Sequence, residues 1–518
     1  MTQATAAEQL AQPFGSVPAL IAAHAAHQPD KPAVICGGET LSYASLDRLV
    51  DRVAASLQCD GAEPGGTVAI CAVASARYVA LYLAAVRAGC AAVPLAPGGT
   101  AGQLAAMVAD SGAGLLFLDA AAEVGPVTAP RVAIDDGGHA TGWSDWLMPP
   151  GSAPQPVEPD PDAAFNIIYS SGTTGTPKGI VQSQRMRWRQ QQIAERVGFA
   201  DAVTLIATPL YSNTTLVSLL PTLAWGGTVA LLPKFSATAY LDLAEATRAT
   251  HTMLVPVQYR RLMEEPSFDA RDLSAFRYKT CTSAPFSAEL KAQVIDRWPG
   301  KLIEYYGLTE GGGSTILIAD ECLDKLHTVG RPAPGHDIRL IDDDGREVGE
   351  GEVGEVVGRS GVMMSGYHGL EAKTRETLWH DAEGRAYIRH GDVGRFDADG
   401  FLTLTDRKKD LIISGGFNLY PADLEAVLMA DPDVVEASVI GVPSDRWGET
   451  PVGFVVLSGG DADAVRERAN DRLGKTQRLH AVIAVDELPR SEIGKVLKRE
   501  LRERWAGMSE QPAVTKAV

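Results

Sequence analysis

Cysteine is scarce: Cys36, Cys59, Cys71, Cys90, Cys281 and Cys322 are scattered, with no C-x-x-C spacing and no histidine partners. That excludes a disulfide framework and a cysteine-built zinc site, and leaves reduced, mostly buried thiols as the expectation. Positive charge is also short. Lys and Arg number 47 against 65 Asp and Glu, a net charge of −18. Such a chain repels nucleic-acid phosphates and anionic lipid, so no nucleic-acid partner is expected. Long apolar runs are missing as well. The most apolar stretch, Leu216 to Pro233, is interrupted by Pro221 and Gly226-Gly227, short of the roughly 20 apolar residues of a membrane span. The first residues, MTQATAAEQLAQ, lack the basic start and apolar core of a signal peptide. The expectation is a soluble, cytoplasmic protein with no membrane span.

What is present has globular proportions. Hydrophobic residues make up 45% and charged residues 22% of 518, which excludes wholesale disorder and implies two to four domains or subdomains. Short apolar runs alternate with amphipathic stretches. Thr67–Val73, Ala91–Leu95, Val229–Leu232 and Thr252–Pro256 read as strands, and Tyr78–Ala88 and Tyr240–Arg248 as helices. This rhythm argues for α/β architecture, with doubly wound parallel sheets covered by helices. Pro149 to Pro161 reads as an extended connector. Between about 330 and 406, short runs separated by Asp344-Gly345 and Asp399-Gly400 predict a β-rich subdomain of antiparallel hairpins. After Arg407 the βαβ rhythm returns, with a strand at Leu411–Ile413, a helix at Pro421–Met429 and a strand at Val434–Val442. A large N-terminal part, residues 1–408, and a small mobile α+β C-terminal domain, residues 409–518, are expected.

The most informative segment is Ile167-Ile168-Tyr169-Ser170-Ser171-Gly172-Thr173-Thr174-Gly175-Thr176-Pro177-Lys178-Gly179. A strand runs into hydroxyls, glycines and a lysine. Glycines let backbone N–H groups approach an anion, hydroxyls donate further bonds and a lysine adds charge, a combination that can cradle phosphates. It is not a P-loop, because Gly179 stands where Ser or Thr would follow the lysine.

The whole string resembles the phosphate-binding signature of the AMP-forming adenylating enzymes, a superfamily of acyl- and aryl-CoA synthetases, peptide-synthetase adenylation domains and beetle luciferases. The resemblance runs nearly the length of the chain. Leu41-Ser42-Tyr43 and Ala88-Gly89 through Val93-Pro94-Leu95 resemble early family elements whose role is core packing. Tyr305-Tyr306-Gly307-Leu308-Thr309-Glu310 resembles the Y-G-x-T-E motif. The resemblance implies that Tyr306 packs the adenine, Thr309 meets the α-phosphate and Glu310 binds Mg²⁺. Ser283-Ala284-Pro285 resembles the segment against which adenine lies, with Ser283 in place of the usual glycine. Asp392 of Gly391-Asp392 is similar to the aspartate that binds the ribose hydroxyls, as an acceptor-only carboxylate can. Arg407 resembles an arginine on ribose or phosphate, and Lys409 falls at the family's hinge. Gly415-Gly416 resembles the loop bordering the CoA tunnel, and Lys495 the lysine of L-P-R-x-x-x-G-K that enters the site during adenylation.

The implied activity is ATP-dependent conversion of a carboxylic acid to an acyl-adenylate, then transfer to CoA with ATP, Mg²⁺ and CoA taking part. Two alternatives stand beside it: a stand-alone enzyme loading a carrier protein, and a non-catalytic homologue binding nucleotide or acid. No Asp or Glu occurs between Asp201 and Asp242, so the ammonium of an amino acid would lack a counter-ion. The 23 residues after Lys495 leave no fused carrier domain in view, and CoA is the expected acceptor. Tyr211, Ser212, Asn213, Val257, Gly307, Leu308, Gly311 and Gly312 are the expected acid-pocket residues, with Ser212 where many CoA ligases have His. The glycines Gly311-Gly312-Gly313 either leave room for a bulky acid or shape the turn after Glu310. An apolar aromatic, cyclic or medium-chain acid is expected. A homodimer is compatible with the sequence. The basic run Arg185-Met186-Arg187-Trp188-Arg189 reads as a solvated helix face and Cys281 as a packed thiol.

Overall fold

A computed structural model describes residues 4–137, 140–170, 177–407, 410–414, 417–444, 448–474, 477–491 and 494–509. The chain divides into two compact units, Met1–Asp337 with Gly358–Ile388, and Ile338–Val357 with Arg389–Val518.

The first unit holds two large sheets. In the nine-stranded one, β1 (Pro32–Cys36), β2 (Val203–Ile206), β3 (Thr228–Leu231), β4 (His251–Leu254), β5 (Tyr278–Cys281) and β6 (Lys301–Gly307) are parallel, in spatial order β6-β5-β4-β2-β3-β1. Antiparallel strands close both edges: Ser314–Ile318 and then Arg331–Pro332 beyond β6, and Glu39–Ser42 beside β1. Strands rich in β-branched and aromatic residues suit a sheet covered on both faces. The eight-stranded sheet runs from Gly366–Tyr367 at one edge through Lys178–Ser183, Ala164–Ser170, Ala91–Leu95 and Thr67–Cys71. Helices Tyr43–Cys59 and Ala76–Arg87 contribute Leu46, Val50, Tyr78, Leu81 and Leu83 to one buried cluster with Val229 and Leu231. Tyr43 is fully buried, and its hydroxyl donates to the Leu223 and Gly227 carbonyls, at 3.1 and 2.7 Å.

Three further helices of this unit are α1 (Gln184–Ile193), α2 (Asn213–Ala224) and α3 (Pro256–Met263). Pro221 interrupts the hydropathy pattern but not α2, which continues to Ala224 and stops before Gly226, where φ is +89°. Among the described residues no helix is long and apolar enough to cross a membrane.

His251, in β4, is 3% exposed. Its ring nitrogens lie 2.8 Å from Thr250 Oγ1 and 2.9 Å from the Val197 carbonyl. Burial holds its pKa down at about 4, against about 6.5 in an unfolded chain. Between those values the unfolded chain binds the extra proton. The neutral ring's contribution is therefore present above pH ~6.5 and lost as pH falls towards ~4. The melting temperature should fall more steeply over that window for the wild type than for His251→Gln. Parallel slopes would remove His251 from the acid response.

The predicted hairpins are present. Leu378–His380 pairs antiparallel with the start of Ala386–Phe396, and Leu402–Arg407 with its end. Gly345 and Gly400 take φ of +79° and +78° in their turns. The helix Pro421–Met429 matches its predicted bounds. The expected strand, helix and strand after Arg407 are present at Ile412–Ser414, Pro421–Met429 and Val434–Ser444. The first strand pairs antiparallel with Gly448–Leu457, whose parallel partner is Ala481–Ala484, and Val434–Ser444 also pairs antiparallel with Gly448–Leu457. Only three residues separate those two long strands, too few for a crossover, so a hairpin is forced.

Candidate active site

Four neighbouring parallel strands, β2, β4, β5 and β6, deliver the candidate residues at their carboxyl ends. After β2 come Tyr211, Ser212 and Asn213; after β4, Val257 at the start of α3; after β5, Ser283, Ala284 and Pro285. Tyr306 and Gly307 end β6, followed by Leu308, Thr309, Glu310, Gly311 and Gly312. Open parallel sheets bind ligands beyond the carboxyl ends of their strands. Residues separated by about 100 positions in sequence thus form one row.

Glu310 is tied to a residue that the sequence did not flag. The Tyr367 hydroxyl donates to Glu310 Oε1 at 2.9 Å, and the Lys178 ammonium lies 5.1 Å from the centre of the Tyr367 ring. Tyr367 gets there by register: it pairs with Ile180, two residues after Lys178. Burial, then the adjacent Glu310 carboxylate, pushes its phenol pKa up, so it stays a donor. Lys178 itself pairs with Ser170 across the strands that flank the phosphate segment. Ser171, Gly172, Thr173, Thr174 and Gly175 lie outside the described residues.

The turn after Glu310 is stitched to the segment before Tyr367. The Met364 amide donates to the Glu310 carbonyl at 2.8 Å, and Ser360 Oγ to the Gly311 carbonyl at 2.7 Å. A side chain on Gly311 would meet the Val362 carbonyl oxygen at 1.9 Å, and one on Gly312 the Ile388 Cβ at 2.6 Å. The space beside both glycines is filled by protein, which favours the turn-shaping reading over open room for an acid.

Ser283 takes φ of +82°, a left-handed conformation that glycine adopts without strain. Its hydroxyl shares a 2.6 Å hydrogen bond with Thr214 Oγ1 in the first turn of α2. The departure from glycine is thus held by a side-chain bond to α2, the helix that follows β2. Ser212 caps α2 with no side-chain bond, and the Tyr211 hydroxyl is buried without a partner among the described residues. Burial pushes the Cys281 thiol pKa well up, and it is a packed thiol rather than a reactive one.

The basic run on α1 corrects the solvated-face expectation. Arg185 and Arg189 are exposed, whereas Met186, Arg187 and Trp188 are buried, Arg187 and Trp188 almost completely. Helical spacing carried that signal, because positions 185 and 189 share a face and 187 points the other way.

In the second unit, Asp392 is 7% exposed and lies opposite Arg407 in the strand ladder, beside Gly391 with φ of +71°. Lys495 sits in a tight loop. The Lys495 amide donates to Ser491 Oγ at 3.2 Å, the Ser491 amide donates to the Lys495 carbonyl at 2.8 Å, and Arg490 bridges to Val496. Gly494 makes the turn with φ of +77°, and Arg490 pairs with Glu436 at 3.0 Å. Lys409, Gly415 and Gly416 lie outside the described residues.

A family model described as "AMP-binding enzyme" matches residues 21–368, and one described as "AMP-binding enzyme C-terminal domain" matches residues 423–495. The chain is 32% identical over 505 residues to the fatty acid–[acyl-carrier-protein] ligase ScoC of Streptomyces coeruleorubidus, covering 94% of this chain and 96% of that protein. It is 34% identical over 486 residues to a feruloyl-CoA synthase of an Amycolatopsis species, covering 92% and 96%. Among solved structures, the amide bond synthetase McbA from Marinactinospora thermotolerans matches with a TM-score of 0.81 and 31% identity, over 92% of this chain and 97% of that one.

Proposed function

The chain belongs to the AMP-binding enzyme family, and from that premise we propose that it joins a carboxylic acid to the thiol of CoA in two steps. In the first, a carboxylate oxygen of the acid attacks the α-phosphorus of ATP and the bond to pyrophosphate breaks. In the second, the thiol sulfur attacks the acyl carbon, its proton leaves to solvent, and AMP departs. The observation that carries this reading is the row of Tyr211–Asn213, Val257, Ser283–Pro285 and Tyr306–Gly312 at four adjacent strand ends.

Carboxylates are weak nucleophiles and the triphosphate is an anion, so attack needs alignment and charge neutralisation. Holding both reactants in one pocket can contribute about 7–11 kcal/mol. Lys178, Lys495 and the N–H groups of the glycine-rich segment supply positive charge. Tyr306 and Ser283-Ala284-Pro285 take the adenine, Asp392 and Arg407 the ribose, and Thr309 the α-phosphate. Glu310, a single carboxylate steadied by Tyr367, suits Mg²⁺, which binds through one or two carboxylates with phosphates and water rather than a protein cage. Bound there, Mg²⁺ would neutralise phosphate charge.

Tyr367→Phe removes one bond to Glu310 and leaves the ring beside Lys178. A lost bond to a charged group costs about 1.5–3 kcal/mol. We expect kcat/KM for ATP to fall roughly ten- to hundredfold, with a raised Mg²⁺ requirement. An unchanged Mg²⁺ titration would detach Tyr367 from this role.

The acid is apolar: Leu308, Val257 and Tyr211 stand at the strand ends, and no carboxylate lies between residues 202 and 241 to receive an ammonium group. The test is to incubate the protein with ATP, Mg²⁺ and a panel of aromatic, cyclic and medium-chain acids, with and without CoA, and to read AMP and acyl-CoA by mass spectrometry. Acid-dependent AMP with acyl-CoA supports the CoA reading. AMP with no thioester moves the acceptor to a carrier protein, which the likeness to ScoC favours. Silence across the panel with ATP still bound favours a binding protein.

A further inference from the structure

Arg187, on α1, is fully buried. Its guanidinium donates from Nε to Asn166 Oδ1 at 2.9 Å, from Nη1 to Gln190 Oε1 at 2.8 Å, and from Nη2 to Asn213 Oδ1 at 3.0 Å and to Gln182 Oε1. All four acceptors are neutral amides. Among the described residues no carboxylate is paired with it. Burial lowers its pKa to about 10, so the group is charged at neutral pH.

An arginine can only donate, so every amide that meets it must turn its oxygen inwards and its NH₂ outwards. The chain of bonds shows the consequence. Asn166 Nδ2 donates to Gln182 Oε1 at 2.9 Å, and Gln182 Nε2 donates to the Thr309 carbonyl at 2.7 Å. Asn213, turned the same way, is the first residue of α2. One guanidinium therefore sets the direction of the bonds that hold the Y-G-L-T-E turn and the start of the helix beside the acid pocket.

Neutral side chains could pack here without the desolvation that a lone buried cation suffers. What the cation adds is a positive field next to the positive N-terminal end of α2. Both favour a bare carboxylate and oppose an ammonium group.

Resting on the adenylating reading above, we propose that Arg187 is a positioning residue for adenylation. It orients Thr309 and Asn213 through the amide chain, and its charge discriminates against amino acids.

The test compares Arg187→Met, Arg187→Gln and Arg187→Lys in the intact protein, with melting curves to confirm folding. For an accepted aryl acid, Met and Gln should lower kcat for AMP formation roughly ten- to a hundredfold, as a small misplacement of reacting groups does. KM for the acid should rise more than KM for ATP. Using 3-phenylpropionate against phenylalanine as the probe pair, Met should narrow the preference for the acid lacking an ammonium group, and Lys should keep it. The pH profile should not change between 6 and 9. Wild-type kcat and KM in Arg187→Met, or the same preference in Met and Lys, would overturn the proposal.

If the wild type forms no AMP with any acid, the adenylating reading fails by itself. Hydrogen exchange then decides the positioning role. Faster exchange over residues 305–312 and 211–217 in Arg187→Met sustains it, and unchanged exchange there overturns it.

Discussion

Replacing Lys495 by Ala is expected to lower acid-dependent AMP formation roughly 10²–10³-fold, the scale on which one preorganised charge or donor acts at a transition state. Thioester formation from supplied acyl-adenylate should be essentially unchanged. The loop gives the reason for a clean separation. Its bonds run through the Lys495 backbone to Ser491, through Gly494 to Arg490, and through Arg490 to Glu436. Lys495 makes its share of these bonds through its backbone, so alanine retains them and removes the ammonium charge from the adenylation step. We propose that the C-terminal part turns about Lys409 between the two half-reactions, withdrawing Lys495 and presenting Gly415-Gly416 to the thiol. On that account the second step has no use for Lys495. Equal loss in both half-reactions would remove Lys495 from its assigned role and leave it as a structural residue. Release of pyrophosphate and capture of acyl-adenylate by CoA, assayed separately, measure the two steps.

The residues legible in the sequence are those whose chemistry is local. A strand followed by Ser, Gly and Thr, or a Thr-Glu pair after a glycine, carries its meaning in consecutive positions, and so does the helix Pro421–Met429 with proline at its first turn. Tyr367 has no such signature. It reaches Glu310 because a two-residue edge strand pairs with the strand that begins at Lys178, and register of that kind is a tertiary fact. Arg187 is legible only through helical spacing, not through the count of charges. A run of three arginines looks solvated when counted, but α1 is covered on the face that carries position 187. Ser283 shows the intermediate case. Its identity departs from the family's glycine, and only the backbone, at φ of +82° with Thr214 in bonding range, explains how serine is held there.

Gly311→Ala should be the most damaging small substitution near the site. The residue takes φ of +75°, and a methyl group there would lie 1.9 Å from the Val362 carbonyl oxygen and 2.9 Å from its carbon. Backbone cannot yield as the end of a side chain can, so the turn or the 360–364 segment must move. The left-handed conformation alone costs about 1–2 kcal/mol for a residue with a Cβ. With the clash added, the total falls in the range above about 3 kcal/mol reserved for strain and broken networks. The displacement would not stay local. The Gly311 carbonyl accepts from Ser360 and the Glu310 carbonyl from Met364, so the turn and the segment that leads to Tyr367 move as one. A shift of about 1 Å at reacting groups can cost on the order of 10²-fold in rate. Gly335→Ala is the matched control: φ is +81° there, but no atom lies within 4 Å of the added methyl. It should lose only about 1–2 kcal/mol of stability, the cost of the left-handed conformation, and keep wild-type turnover. AMP formation at a temperature where both variants are folded, together with their melting curves, separates the outcomes. Full turnover in Gly311→Ala would mean that this turn does not set the position of Glu310.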